Sequence, residues 1–237
     1  MILNLKAAIF DVDDTLFDFT GCHAIAMQRV AEHVEKAYGI PQKWLIAEYK
    51  AELDKQFEKY PQFVNCHCRT IRFQRIAERD ARLPLGVATE LSDMYWNTLI
   101  EVAEPLPGVV DFIKSLKAKG LKLGICTDMT ADWQIKKLVK LGIVEYLDFI
   151  VSSEEAGIEK PDNKIFELCL NKAGDCSPSE AIMFGDSYKK DIAGAIGAGM
   201  HAVWINPKGI QIEKPLPGVI EITSYVGIEN IFQIAKA

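Results

Sequence analysis

At 237 residues, with 49% hydrophobic and 25% charged side chains, the chain can build a proper core, as one large domain or as a domain with an insertion. A net charge of −6 excludes a general nucleic-acid binder, which needs a basic face, but leaves room for a small anion in a locally positive pocket. The six scattered cysteines lack disulfide-framework spacing, and neither a signal peptide nor a bilayer-spanning apolar run is apparent, so a cytoplasmic protein with reduced thiols is expected.

The first predicted element is a buried strand from Leu5 to Phe10, running directly into Asp11, Asp13 and Asp14. Residues two apart on an extended segment face the same way, so Asp11 and Asp13 can converge on one spot. One reading is a pair of carboxylates around a hard cation such as Mg²⁺; the other is a solvated acidic turn. Four helical stretches follow, over Cys22–Ala37, Gln42–Lys59, Cys66–Asp80 and Ala88–Ile100, with a break at Leu83–Gly86. From Glu104 strands and helices alternate. The strands are Leu121–Cys126, Phe149–Ser152, Ala181–Phe184, His201–Ile205 and Val219–Ile222; the helices are Val109–Lys119, Ala131–Leu141, Lys164–Ala173 and Asp191–Ala198. This alternation implies a parallel sheet covered on both faces.

Open parallel sheets gather their ligands beyond the carboxyl ends of the strands. The residues there are Asp11 and Asp13, Thr127 and Asp128, Lys160, and Asp186 with Asp191 beyond it. A hydroxyl, an ammonium and several carboxylates at one edge describe a metal-dependent phosphate site. Each alone has a plain structural explanation, but four successive strand ends carrying suitable groups form a coherent set.

These residues resemble the four motifs of the haloacid dehalogenase-like hydrolase superfamily, in order. Asp11-Val12-Asp13-Asp14-Thr15 looks like the first motif, Thr127 the second, Lys160 the third and Gly185-Asp186 through Asp191 the fourth. The resemblance covers residues 5–19 and 105–206 and looks closest to the phosphatases of the N-acylneuraminate-9-phosphatase and pyrimidine nucleotidase group. It implies Asp11 as nucleophile and Asp13 as acid and base, through an aspartyl-phosphate. Mg²⁺ would be held by Asp11, Asp13 (through its carbonyl) and Asp186. Phosphate would be bound by Thr127, Asp128 and Lys160, with Thr15 and Asp191 as supporting partners. Where the group often has Asn after the second-motif hydroxyl, this chain has Asp128, a carboxylate that must turn away or find a basic partner.

Asp13 favours phosphoryl transfer over dehalogenation, which does not need an acid at that position. Lys36, Lys43, Lys50, Lys55 and Lys59 have the spacing of a solvated helix face rather than of a Schiff-base site. Cys66-His67-Cys68 lacks the spacing of a structural zinc site and reads as a helix start with partly buried thiols. Arg72, Arg75 and Arg79 share a helix face, favouring a solvated surface over a contact with a second anionic group of a substrate.

The expectation is therefore a doubly wound, Rossmann-like α/β core with an inserted all-helical cap. Residues 1–17 and 105–237 would carry the chemistry, and residues 18–104 would close over it with 16–21 and 101–107 as hinges. The expected function is Mg²⁺-dependent hydrolysis of a small phosphomonoester, such as a sugar phosphate, a sugar-acid phosphate or a nucleotide. The partners expected are small phosphorylated metabolites, with neither a nucleic-acid polymer nor a membrane. A sugar phosphomutase and a non-catalytic phosphate-binding protein are the alternatives.

Overall fold

The computed structural model describes residues 2–174, 176–228 and 233–234. The chain forms two compact units, one of residues 1–18 and 104–237 and the other of residues 19–103. Among the described residues, no helix is long and apolar enough to cross a membrane.

The first unit is built on a parallel sheet. A short strand β1 (Ile2–Leu3) lies outside it, and β2 (Ala7–Phe10) runs through its centre. The crossovers supply helix α5 (Val109–Ala118), β3 (Lys122–Thr127), α6 (Ala131–Lys140), β4 (Phe149–Ser152), the short α7 (Ser153–Ala156) and α8 (Asn163–Lys172). After them come β5 (Ala181–Gly185), α9 (Ala193–Gly197), β6 (His201–Ile205) and β7 (Ile220–Ile222); β8 (Gln233–Ile234) pairs with β1. The six-stranded order is β4-β3-β2-β5-β6-β7, every pairing parallel.

Alternation along β2 sends its side chains to opposite layers. Ala7 and Ile9 join a core with Met183, Phe166 and Cys169, under α8. On the other face Phe10 stacks on Phe184 with centroids 4.7 Å apart, and Phe112 of α5 meets the Phe10 ring edge-on at 6.3 Å. Burying a side chain of the size of Ile9 or Phe10 contributes ~1.5–3 kcal/mol, so the strand that carries Asp11 is firmly anchored. Gly124 is required by packing, because a Cβ there would lie 2.1 Å from the Phe149 ring on the adjacent strand.

The sheet ladder begins at Ala7 rather than Leu5, although the Lys6 N–H reaches the Glu180 carbonyl at 2.8 Å. β3 is displaced by one residue from its expected span, and ends on Thr127 itself. The helix expected over Asp191–Ala198 is instead a π turn (Tyr188–Ile192) followed by α9. Where the chain leaves and rejoins this unit, Phe17 bridges to Pro105, and the Leu106 N–H donates to the Leu16 carbonyl at 2.8 Å.

The second unit contains α1 (Phe19–Tyr38), α2 (Gln42–Lys59), α3 (Arg69–Ala77) and α4 (Val87–Val102). α1 packs on α2 and α4, and α3 packs on α2 and α4. Two expectations are corrected here. The Cys66–His67 stretch forms a 3₁₀ turn (Val64–His67), and Cys68 precedes the first turn of α3. The three arginines do not share one solvated face: Arg75 and Arg79 keep contact with water, and Arg72 does not. Arg72 is fully buried, its Nε donating to Gln56 Oε1 at 2.7 Å and its Nη1 to the Tyr49 hydroxyl at 2.9 Å, with the Cys66 carbonyl as a third acceptor. Arg75 and Arg79 instead pair with the buried Glu52, at 3.7 and 2.5 Å. Acceptors supplied by α2 and the 3₁₀ turn satisfy the Arg72 guanidinium, a role that neither sequence reading assigned.

Candidate active site

β2, β3 and β5 are in register, Phe10 lying opposite both Ile125 and Phe184, so Asp11 emerges level with the ends of its neighbours. The Asp11 N–H donates to the Phe184 carbonyl at 2.9 Å. The chain then turns tightly, with Leu16 N–H on the Val12 carbonyl at 2.9 Å and Asp14 in the left-handed region at φ 58°. Asp tolerates that conformation better than most residues.

The turn returns Thr15 to the site. Its hydroxyl accepts from the Asp186 N–H at 3.0 Å and lies 3.4 Å from Asp11 Oδ2 and 3.5 Å from Asp186 Oδ1. One side chain thus ties the end of β2 to the end of β5.

Lys160 comes in from the segment between α7 and α8, almost wholly buried. Its ammonium lies 2.6 Å from Asp11 Oδ1, 2.7 Å from Asp191 Oδ1 and 2.9 Å from the Cys126 carbonyl oxygen. Asp191, on the π turn, accepts from the Ser187 N–H at 2.9 Å. Its position depends on Gly185, since a Cβ there would sit 2.4 Å from both Asp191 Cβ and Oδ2.

Carboxylate oxygens of Asp11, Asp186 and Asp191 lie within 4.8 Å of one another. Burial pushes the Asp11 carboxyl well above the usual range; Lys160 opposes the shift, and Asp191 and Asp186 add to it. Burial, then Asp191 and Asp14, raises Asp186 to about 7. Burial alone would lower the Lys160 ammonium, but Asp11 and Asp191 outweigh it and hold its pKa well above the ordinary value. Two buried carboxylates, Asp11 and Asp191, on one ammonium, with the half-buried Asp186 beside them, leave negative charge uncompensated. Hard oxygen donors with that excess fit a divalent cation such as Mg²⁺.

The remaining expected residues are placed differently from one another. Thr127 is buried, its hydroxyl 2.7 Å from Gln134 Nε2. The carboxylate of Asp13 is turned to α6, with Oδ1 2.6 Å from the Lys137 ammonium. Asp128 accepts the Lys160 N–H at 2.8 Å and pairs with Lys190 at 2.9 Å, so its side chain has both a turned-away orientation and a basic partner. Its carboxylate is therefore engaged by protein donors, so any contact of residue 128 with phosphate falls to its backbone N–H.

Sequence reasoning missed Gln134, Lys137 and Lys190. Gln134, Lys137, Leu138 and Leu141 follow the i, i+3, i+4, i+7 spacing of one helix face, so two polar residues on an apolar stripe were the available signal. Beside Asp186 lies a cavity of about 340 Å³, walled by Phe17, Leu106, Ile205 and Ile210, with Lys208 at its margin.

Comparison with known proteins agrees with this arrangement. The haloacid dehalogenase-like hydrolase family model matches residues 5–199. The chain is 32% identical over 212 residues to glyceraldehyde 3-phosphate phosphatase of Methanothermobacter thermautotrophicus, covering 89% of each. It is 30% identical over 213 residues to pyrimidine 5'-nucleotidase YjjG of Escherichia coli, covering 85% of this chain and 88% of the relative. A crystal structure of an HAD phosphatase from Thermococcus onnurineus superposes with a TM-score of 0.75 at 26% identity, over 96% of this chain and 97% of that one. With its motif residues gathered at the carboxyl edge of a parallel sheet, the chain belongs to the haloacid dehalogenase-like hydrolase family.

Proposed function

We propose that the chain is a phosphatase that hydrolyses a small phosphomonoester in two steps, using Asp11 as nucleophile. The observation that carries this reading is the Asp11 carboxylate held 2.6 Å from the buried Lys160 ammonium at the end of the central strand. In the first step an Asp11 oxygen forms a bond to phosphorus, the ester P–O bond breaks, and the leaving oxygen takes a proton from Asp13. In the second step water attacks the aspartyl-phosphate and gives its proton to Asp13, releasing inorganic phosphate and restoring Asp11. Thr127 and Lys160 bind the other phosphoryl oxygens as charge shifts among them. Asp191, with one oxygen on Lys160 and the other on the Ser187 N–H, orients the ammonium. Thr15 steadies the turn carrying Asp11 and Asp13.

Asp11, Asp186 and the Asp13 carbonyl are the groups that would hold Mg²⁺, which when bound would offset the repulsion between carboxylate and phosphate. Residues 1–17 and 105–237 would carry the chemistry, and the helical insertion would select the leaving group. The named relatives act on a triose phosphate and a pyrimidine nucleotide, which supports a small phosphorylated metabolite as substrate.

The test is phosphate release from p-nitrophenyl phosphate, glyceraldehyde 3-phosphate and uridine 5'-phosphate, with and without Mg²⁺. Asp11→Asn should lower turnover at least ~10³-fold, as loss of a nucleophile does elsewhere, while leaving the melting transition in place. Retention of most activity in that variant would remove Asp11 as nucleophile. Appearance of an isomeric ester in place of inorganic phosphate would point to a phosphomutase.

A further inference from the structure

Lys137 and Gln134 stand one turn apart on α6, and both are completely buried. Neither belongs to the four motifs, yet both reach motif residues. A buried ammonium is costly unless matched by an acceptor, and here Asp13 Oδ1 lies 2.6 Å away, with Met129 Sδ at 3.7 Å. The aromatic face of Phe17 lies 5.7 Å from the same ammonium.

Gln134 faces two acceptors with one nitrogen, Thr127 Oγ1 at 2.7 Å and Asp13 Oδ2 at 3.5 Å. Its amide oxygen is buried with no hydrogen-bond partner among the described residues. Reversing the amide would turn that oxygen towards Asp13 and Thr127. The Lys137 ammonium already holds Asp13 Oδ1 as an acceptor, and in the arrangement seen the amide nitrogen faces both Asp13 Oδ2 and Thr127 Oγ1. The nitrogen therefore donates to Thr127, and the threonine's own hydroxyl hydrogen is left for another acceptor.

We propose that Lys137, assisted by Gln134, is a positioning residue for proton transfer, fixing the orientation of the Asp13 carboxylate and the donor direction of Thr127. This rests on the phosphatase reading above. Asp13 follows the strand end on a turn, where its side chain would otherwise sample several rotamers. Contacts from α6 to both oxygens narrow that choice, and each oxygen keeps a lone pair for a further partner. Proton transfer requires donor and acceptor within about 3 Å. Losing the anchor should therefore hurt most when the leaving oxygen most needs the proton.

The experiment compares kcat/KM for two esters, p-nitrophenyl phosphate, whose phenolate leaves readily, and glycerol 3-phosphate, whose alkoxide requires protonation. Each is measured with wild type, Lys137→Met and Lys137→Arg under saturating Mg²⁺, because kcat/KM reports the first phosphoryl transfer. Lys137→Met should lose roughly 100-fold on the alkyl ester and less than about tenfold on the aryl ester, in the range expected for general acid catalysis. Lys137→Arg, which keeps a cation, should recover part of the alkyl-ester loss. Equal losses on both esters would overturn the inference and leave the phosphatase reading intact. A wild type that hydrolyses neither ester, nor any other phosphomonoester, would overturn both. If Lys137→Met does not fold, Lys137→Gln and Lys137→Arg provide the same ratio, and a ratio unchanged from wild type in both is the overturning result.

Discussion

Lys190 lies 2.9 Å from Oδ2 of Asp128, one residue beyond the Thr127 that ends β3, while Asp128 Oδ1 accepts from the Lys160 N–H at 2.8 Å. The Lys190 ammonium also lies 3.0 Å from the buried Glu159 carboxylate, one residue before Lys160. The residue after Thr127 is thus a carboxylate whose cation is shared with Glu159. The Lys190 pKa is raised: burial pulls it down, but Asp128 and Glu159 together outweigh that effect.

This pairing predicts a compensation. Lys190→Met should release the Asp128 carboxylate and weaken binding of inorganic phosphate, the product expected of a phosphatase, by roughly tenfold, the effect of an unmatched charge worth ~1.4 kcal/mol. Lys190→Met/Asp128→Asn should regain most of that affinity. Phosphate inhibition constants for the two single variants and the double variant close the cycle. Simple additivity of the two substitutions would refute the coupling.

Gly185 predicts a packing penalty at the same site. Gly185→Ala places a methyl 2.4 Å from Asp191, whose side chain is wedged between Lys160 and the Ser187 N–H. The π turn must shift, at a cost of ~1–3 kcal/mol typical of overpacking. Urea denaturation should show this loss together with a drop in turnover. A variant of unchanged stability and activity would mean that the turn yields freely.

The strand-end motifs were legible because alternation and register are local rules: once β2 and β5 are parallel neighbours, Asp11 and Asp186 must emerge side by side. Lys160 belongs to the strand-end set less directly, because α7 separates it from the end of β4, and the motif resemblance gives it its role. The fates of Asp13 and Asp128 depended on Lys137 and Lys190, which are distant in sequence, so the orientation of either carboxylate could not be read from its own motif. The helix expected from Asp191 overlaps the π turn at Asp191 and Ile192, because spacing does not distinguish the end of a wide turn from the first turn of α9. Arg72 shows the same limit. Its i, i+3 and i+7 relation to Arg75 and Arg79 is the same whether the face meets water or, as here, Gln56 and Tyr49.

The arginines of α3 should therefore differ sharply in their contribution to stability. Arg72→Lys keeps the charge but cannot serve all three acceptors, and unsatisfied buried groups should cost ~2–3 kcal/mol. Arg75→Ala removes a partly exposed partner 3.7 Å from Glu52 and should cost less than ~1 kcal/mol. Denaturant titration of both variants measures the difference. Equal costs would return Arg72 to the solvated face that its spacing suggested.

Asp186 predicts how stability changes with pH in protein stripped of divalent ions. Its carboxyl titrates at about 7 in the folded chain against an ordinary 3.8, chiefly through burial and then through Asp191 and Asp14. A group whose pKa is raised by folding binds protons more tightly in the native state. Its stabilising contribution is present in full below the unfolded value and is lost as pH rises through about 7. In chelator, wild type and Asp186→Asn should melt at similar temperatures at pH 5, because the native wild-type group is then largely neutral. At pH 8 the variant should melt higher, because it no longer holds an unmatched charge beside Asp191. Saturating Mg²⁺ at pH 8 should raise the wild-type melting temperature, because an ion selective for the native site stabilises it. The variant, lacking one of the proposed ligands, should respond weakly. Scanning calorimetry of both proteins in these three conditions tests the sign, and a variant that melts below wild type in chelator at pH 8 would reverse it.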